Sequence, residues 1–183
     1  MNRYIMRTEE YQHSESIYTI HFDNAFLDKN IFYKIVKLIS YFSKDSEMYF
    51  GFWREDGVNI TYKQFKEYRK EIPDFFSEYG SIKKLDEYLS IAKIGTKYIS
   101  EKQLYAILNF YLDICFFIPK VDFETFEEFF LHYMKNSLND YILCNITDLI
   151  FHYYDSGDFS ISFNTKIYDP IEVQRILDNI LEE

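Results

Sequence analysis

Residues that make tight turns are scarce in this chain, which has 5 Gly and 3 Pro among 183 residues. Average usage would make these two residue types roughly 12% of a chain. The chain also carries 18 Tyr, 19 Phe and a single Trp, and 48% of its residues are hydrophobic. A chain of this length and apolar content can bury a substantial core. We therefore expect a folded, turn-poor and helix-rich protein.

Strand patterns lie near both ends of the chain. Residues 17–22 are rich in β-branched and aromatic side chains, and residues 3–7 are expected to pair with them as a short edge strand. Residues 159–163 alternate between large apolar residues and Ser. This alternation is typical of a strand with one buried and one wet face.

A third strand pattern surrounds the only tryptophan. An Asp-Gly pair separates residues 48–53 from residues 58–60, which predicts a β-hairpin with that pair in its turn. Trp53 lies where the chain enters this turn, next to Glu55 and Asp56. Such a Trp is either a core residue or an exposed anchor of a binding surface.

Helix signals dominate from residue 61 onward. Capping boxes, in which a short polar side chain and a Glu or Gln three residues later satisfy free amides, begin at Thr61, Ser100 and Asp169. Ser81 is expected to open another helix, which Gly95 closes. The predicted helices are residues 30–43, 62–71, 82–94, 101–117, 123–135, 140–155 and 170–181.

These elements predict an α+β fold. A small, mostly antiparallel sheet, made of the N-terminal strands and a strand near 159–167, is expected to pack on a helix-rich middle. No Pro/Gly/Ser-rich linker, repeat or low-complexity tract divides the chain. Residues 1–183 are therefore expected to form a single globular domain.

The cysteines and the N-terminus point to the cytoplasm. Cys115 and Cys144 each lie within an apolar pattern without close spacing, which favours free thiols in a reducing compartment. The first ten residues contain no apolar secretory segment. The most apolar stretch, residues 104–118, falls short of the ~20 residues that span a bilayer, so it is predicted to be a buried core helix.

Acidity is the strongest functional hint. The chain has 30 Asp and Glu against 20 Lys and Arg, a formal net charge of −10, which argues against binding to nucleic acid or an anionic membrane. Within residues 121–160 the only base is Lys135, and the local net charge is −7. The acids of this segment are Asp122, Glu124, Glu127, Glu128, Asp140, Asp148, Asp155 and Asp158.

The predicted helix 123–135 separates its phenylalanines from its acids. At about 100° per residue, the aromatic residues share one arc, while Glu124, Glu127, Glu128 and His132 share the other. The phenylalanine arc is interpreted as core. The acidic arc is either a solvated face or a docking surface for a cationic partner.

A second polar stripe raises the question of chemistry. In the predicted helix 140–155, Asp148 and His152 would lie one turn apart with Asp155 within reach, a spacing that suits a metal ion, a general base or a solvated face. No phosphate-binding, dinucleotide-binding, nucleophile-elbow or zinc-protease motif is present. The chain is therefore predicted not to be an enzyme and to require no cofactor.

In size, acidity, missing catalytic motifs and α+β element order, the sequence resembles bacterial immunity proteins of polymorphic and contact-dependent toxin systems. The resemblance implies a cytoplasmic inhibitor that binds a basic toxin domain, for example a nuclease, because complementary charge speeds association. Two alternatives are a phage-encoded antagonist of a bacterial defence system that mimics nucleic acid, and a small metal-dependent enzyme. The predicted partner-binding residues are Asp122, Glu124, Glu127, Glu128, Asp148, His152, Asp155, Asp158, Trp53, Glu55 and Asp56.

Overall fold

Eight strands form one antiparallel sheet in the computed structural model of the protein, which describes residues 7–14, 16–23, 29–55, 57, 60–111, 113–136, 145–154 and 157–182. The strands are β1 (Arg7–Ser14), β2 (Ile17–Phe22), β3 (Glu47–Phe52), β4 (Gly80–Lys84), β5 (Ser90–Gly95), β6 (Ile114–Pro119), β7 (Thr147–Tyr153) and β8 (Phe159–Asn164). Their order across the sheet is β1-β2-β8-β7-β6-β3-β5-β4. The sheet therefore joins strands from both ends of the chain to strands from its middle.

Helices cover both faces of this sheet. The helices are α1 (Lys29–Phe42), α2 (Tyr62–Tyr79), α3 (Glu101–Phe110), α4 (Phe123–Asn136) and α5 (Pro170–Glu182). Buried residues of α1, α2, α3 and α5 join one core cluster, which we call the four-helix side of the sheet. Phe126 and Phe130 of α4 pack with Tyr49, Cys115 and Phe117 on the opposite face, which we call the α4 side. The predicted α+β class is confirmed.

A glycine lets α4 approach the sheet. A Cβ atom built on Gly51 of β3 would lie 2.0 Å from the tip of the Phe130 ring. The ring itself is buried and packs against Phe117, Phe126 and Trp53, so it has little room to retreat. Gly51 therefore sets the distance between α4 and the middle of the sheet.

The predicted helix 82–94 is wrong, because these residues form most of the β4–β5 hairpin. A Cβ at Gly80 would lie 1.9 Å from the carbonyl oxygen of Lys93, so the missing side chain lets the chain pass from α2 directly into β4. The Asp86 carboxylate accepts hydrogen bonds from the amides of Tyr88 and Leu89 at 2.7 and 2.8 Å and holds the turn. Pairing of β5 with both β3 and β4 outweighs the helix-like spacing.

The predicted helix 101–117 is only partly correct. Helix α3 ends at Phe110, and Ile114 begins strand β6, which lies between β3 and β7. Asp113 takes a left-handed conformation, with φ of 54°, at the change of direction. A short, continuous apolar run fits a buried strand as well as a helix, so periodicity alone could not separate the two.

The predicted helix 140–155 is wrong over most of the residues that the structure describes. Thr147–Tyr153 is strand β7, paired with β6 and β8. Residues 140–144 and Asp155 lie outside the described residues. Residues on both faces of this central strand are buried, so most of them are apolar. In the sequence, this apolar run resembled a helix.

The predicted hairpin around the Asp-Gly pair is wrong, although its first strand, residues 48–53, is present as β3. Both edges of β3 are occupied by β5 and β6, so the chain that follows β3 has no free edge on which to fold back. Val58 and Asn59 lie outside the described residues, as do residues 3–6 of the proposed edge strand. The edge strand that pairs with β2 is Arg7–Ser14.

The remaining element predictions are confirmed, with adjusted limits. Strand 17–22, helices α1, α4 and α5, and the capping boxes at Thr61 and Ser100 are present, each box with both of its hydrogen bonds. At the third predicted box, the Asp169 carboxylate accepts a hydrogen bond from the amide of Ile171 at 3.0 Å. Helix α2 continues past the predicted end to Tyr79 and includes Pro73. Strand β8 ends at Asn164, and its expected wet face is largely covered, since Ser160 is buried.

Candidate functional site

The alternation of side chains along the strands decides which polar groups meet. On the α4 side, β2 presents Thr19 and His21, and β8 presents Ser160, Ser162 and Asn164, in direct register. The hydroxyl groups of Thr19 and Ser162 lie 2.7 Å apart. Helix α4 packs over β3, β5 and β6, so the polar part of this face is carried by β2, β8 and β7.

His152 stands at the boundary between the aromatic and the polar part of this face. Its Nε2 lies 2.6 Å from Oδ1 of Asp113. Its ring stacks on Tyr154, with 3.7 Å between ring centroids, and lies nearly parallel to Trp53 at 6.4 Å. The hydroxyl of Tyr154 in turn lies 3.1 Å from that of Ser160. The imidazole is thus held by one carboxylate and two aromatic rings.

The thiol next to His152 is not suited to nucleophilic chemistry. Cys115 is the direct cross-strand neighbour of His152. Burial, reinforced by the charge of Asp113, raises the pKa of the Cys115 thiol well above its ordinary value. A buried thiol of this kind stays protonated and unreactive. Burial also raises the pKa of Tyr154, which keeps its hydroxyl neutral and able to donate a hydrogen bond.

The acids of α4 have distinct roles. Asp122 caps the helix by accepting a hydrogen bond from the Thr125 amide at 2.9 Å, and this bond lowers the pKa of its carboxyl group. Glu127 binds Lys83 of β4 through both carboxylate oxygens, at 2.5 and 2.6 Å. Glu124 and Glu128 are exposed and have no ion-pair partner among the side chains that the structure describes, which in α4 are those of residues 123–131.

Asp122 also affects the aromatic layer beneath α4. Burial of Tyr49, together with the charges of Glu47 and Asp122, raises the pKa of the Tyr49 hydroxyl to about 12. The Tyr49 ring packs edge-on against Phe123 and Phe126. The phenylalanine arc of α4 is therefore core over its described residues, as the sequence predicted.

Asp148 and His152 are not adjacent. They lie on the same side of β7, but four residues along a strand correspond to about 13 Å, not to one helical turn. Asp148 is paired instead with Lys120 at 2.5 Å and accepts a hydrogen bond from Asn164 at 3.0 Å. The predicted metal or general-base stripe of Asp148, His152 and Asp155 is therefore not formed as proposed.

Most of the predicted partner-binding residues share one side of the sheet. Those on the α4 side are Asp122, Glu124, Glu127, Glu128, Asp148, His152, Asp158 and Trp53. Glu55 points elsewhere: it pairs with Arg69 of α2 at 2.8 Å, in a cleft of about 680 Å³ that Trp53 also lines. Asp56 and Asp155 lie outside the described residues.

Sequence reasoning missed several residues of this face. Asp113, Tyr154 and Ser160 contact one another or His152, and His21 and Asp23 lie beside Tyr154 and Asp158. One sequence signal could have shown that His21 and Asp23 share a side of the sheet: they are two residues apart at the end of a correctly predicted strand. Their proximity to Asp158 depends on strand pairing over more than 130 residues.

Three lysines on the α4 side have partners among the described residues. Lys83 and Lys120 bind Glu127 and Asp148, and Lys93 lies over the Phe123 ring at 5.4 Å. No helix in the described part of the protein combines the length and hydropathy that a membrane-spanning segment needs. Comparison of the chain with models of known families, with curated proteins and with solved structures finds no match.

Proposed function

We propose that the protein is a cytoplasmic immunity protein that neutralises a cognate basic toxin by binding it on the α4 side of the sheet. The observation that supports this function is the pair of carboxylates of Glu124 and Glu128, which are exposed and have no ion-pair partner among the side chains that the structure describes. Nearby, Lys83 is bound to Glu127 and Lys93 lies over the Phe123 ring. A surface of this kind attracts a cationic protein over long range.

The association rate and the affinity of the complex would depend on different residues. Exposed acids steer a basic partner and fix its orientation, and they act mainly on the association rate. Trp53 is half-buried against Phe130 and His152, so it offers a pre-ordered aromatic edge next to the acids. Aromatic residues of this kind contribute much of the binding free energy of protein interfaces.

The first test is to identify the partner. The tagged chain is produced in its native host, and proteins that co-purify with it are identified. Growth is then followed when the captured partner is expressed with and without the chain. We expect a basic toxin whose growth inhibition is relieved by the chain. Capture of a DNA-binding defence enzyme would instead support the phage-encoded antagonist, and an acidic partner would contradict both assignments.

The second test places the interface. Glu124→Lys with Glu128→Lys should lower the association rate with the captured partner about tenfold at low salt and remove most of its salt dependence. The matched control is Glu71→Lys with Asp74→Lys, which makes the same charge change on exposed positions of α2, on the four-helix side. Equal rates for the two double variants would rule out the α4 side as the steering surface.

A further inference from the structure

His21, Asp23 and Asp158 are brought together at one end of the β2–β8 pair. His21 and Asp23 are two residues apart, so both belong to the same side of the sheet. Phe22 pairs with Phe159, and continuing this antiparallel register places position 158 opposite position 23. Strand pairing thus delivers one imidazole and two carboxylates to the same place on the α4 side.

The three side chains have the spacing of metal ligands. One ligand atom from each lies within 4.8 Å of the others, and Nε2 of His21 lies 3.4 Å from Oδ1 of Asp23. Two ligands bound at about 2.1 Å to one tetrahedral zinc ion are about 3.4 Å apart. All three residues are half-buried, so they are partly pre-ordered and still accessible to an ion.

The surroundings also favour a cation. The His21 ring packs near Tyr154, with 5.8 Å between centroids, which restricts its orientation. Beyond Tyr154 lies the Asp113–His152 pair. An ion at this place would therefore meet two carboxylates and an imidazole whose ring a neighbouring aromatic residue holds.

We propose that His21, Asp23 and Asp158 form a binding site for a divalent transition-metal ion of the zinc class, with water completing its coordination. One imidazole and two carboxylates are a ligand set that zinc and manganese accept. Calcium requires six to eight oxygen ligands, and three residues that include an imidazole do not supply them. All three protein ligands come from this chain.

The test uses the full chain after treatment with a chelator. Zinc chloride is titrated into the protein by isothermal calorimetry at pH 7, and binding of one ion per chain is expected. Asp158→Asn keeps the shape of the side chain, and His21→Ala removes the imidazole. Each substitution should weaken zinc binding by more than about tenfold. Calcium at the same concentrations should give no comparable heat.

Two control variants distinguish this site from its surroundings. His152→Gln removes the neighbouring imidazole, and Glu124→Gln removes an exposed carboxylate of α4; both should bind zinc like the parent chain. A cobalt spectrum gives a second readout, because ligation by nitrogen and oxygen alone gives no thiolate charge-transfer band. Absence of zinc binding, zinc binding unchanged in Asp158→Asn, or its loss in His152→Gln would each overturn the proposal.

Discussion

The acidic residues on the α4 side fall into two groups, those bound within the fold and those exposed to solvent. Asp122 caps a helix, and Glu127 and Asp148 bind lysines, so these acids are engaged within the fold. Glu124 and Glu128 differ from them only in having no such partner within the described ranges. The residue type therefore predicted the charge correctly, whereas the contacts decided which charges are available to a partner.

Gly51 should be intolerant of any side chain. Gly51→Ala places a methyl group into the Phe130 ring, which neighbouring aromatic rings hold in position. We expect the free energy of unfolding to fall by about 1–3 kcal/mol, the usual cost of overpacking a core. Urea denaturation followed by the fluorescence of the only tryptophan, Trp53, measures the change.

Gly95 provides the control for this substitution. An added Cβ at Gly95 would lie 3.4 Å from the Tyr98 ring, which is an ordinary contact, and its backbone is extended. Gly95→Ala should be nearly neutral or slightly stabilising, because it reduces the freedom of the unfolded chain. A destabilisation equal to that of Gly51→Ala would mean that loss of glycine, not overlap with Phe130, is responsible.

At the scale of elements, helices with capping signals were predicted well, whereas strands β4 to β7 were predicted as helices. The capping boxes of α2 and α3 depend on contacts between residues three apart, which a sequence displays directly. Strands β5, β6 and β7 depend on partners far along the chain. Their short apolar runs fit a helix equally well, so tertiary pairing had to decide between the two.

Removal of one cap should measure this local contribution. Ser100→Ala deletes the side chain that accepts a hydrogen bond from the Gln103 amide at 3.2 Å. We expect a loss of about 1 kcal/mol in the free energy of unfolding. Ser77→Ala, on the exposed face of α2, is the control and should be neutral or slightly stabilising. Equal values for the two variants would show that the capping box does not stabilise the protein.

At the scale of the whole molecule, the stability of each strand against local opening is expected to depend on its position in the sheet. Strand β6 lies between two strands, beneath both core clusters, whereas β4 pairs only with β5 at one edge. Amides of β6 should therefore exchange hydrogen only through global unfolding, and those of β4 through local opening. Hydrogen exchange measured by NMR should give protection in β6 that exceeds that in β4 by at least about tenfold. Equal protection would indicate that the edge opens only with the core.

The sequence alone determined the net charge, the α+β class, the capped starts of α2 and α3 and the strands near 17–22, 48–53 and 159–163. Each of these follows from composition or from residues close together in the chain. Tertiary structure decided that residues 82–94, 114–119 and 147–153 contribute strands, and that Asp148 and His152 lie apart. It also brought His21 and Asp23 to Asp158. Burial and hydrogen bonding between distant segments decide which strands pair and which residues share a side of the sheet. A local sequence pattern does not indicate which segments will pair.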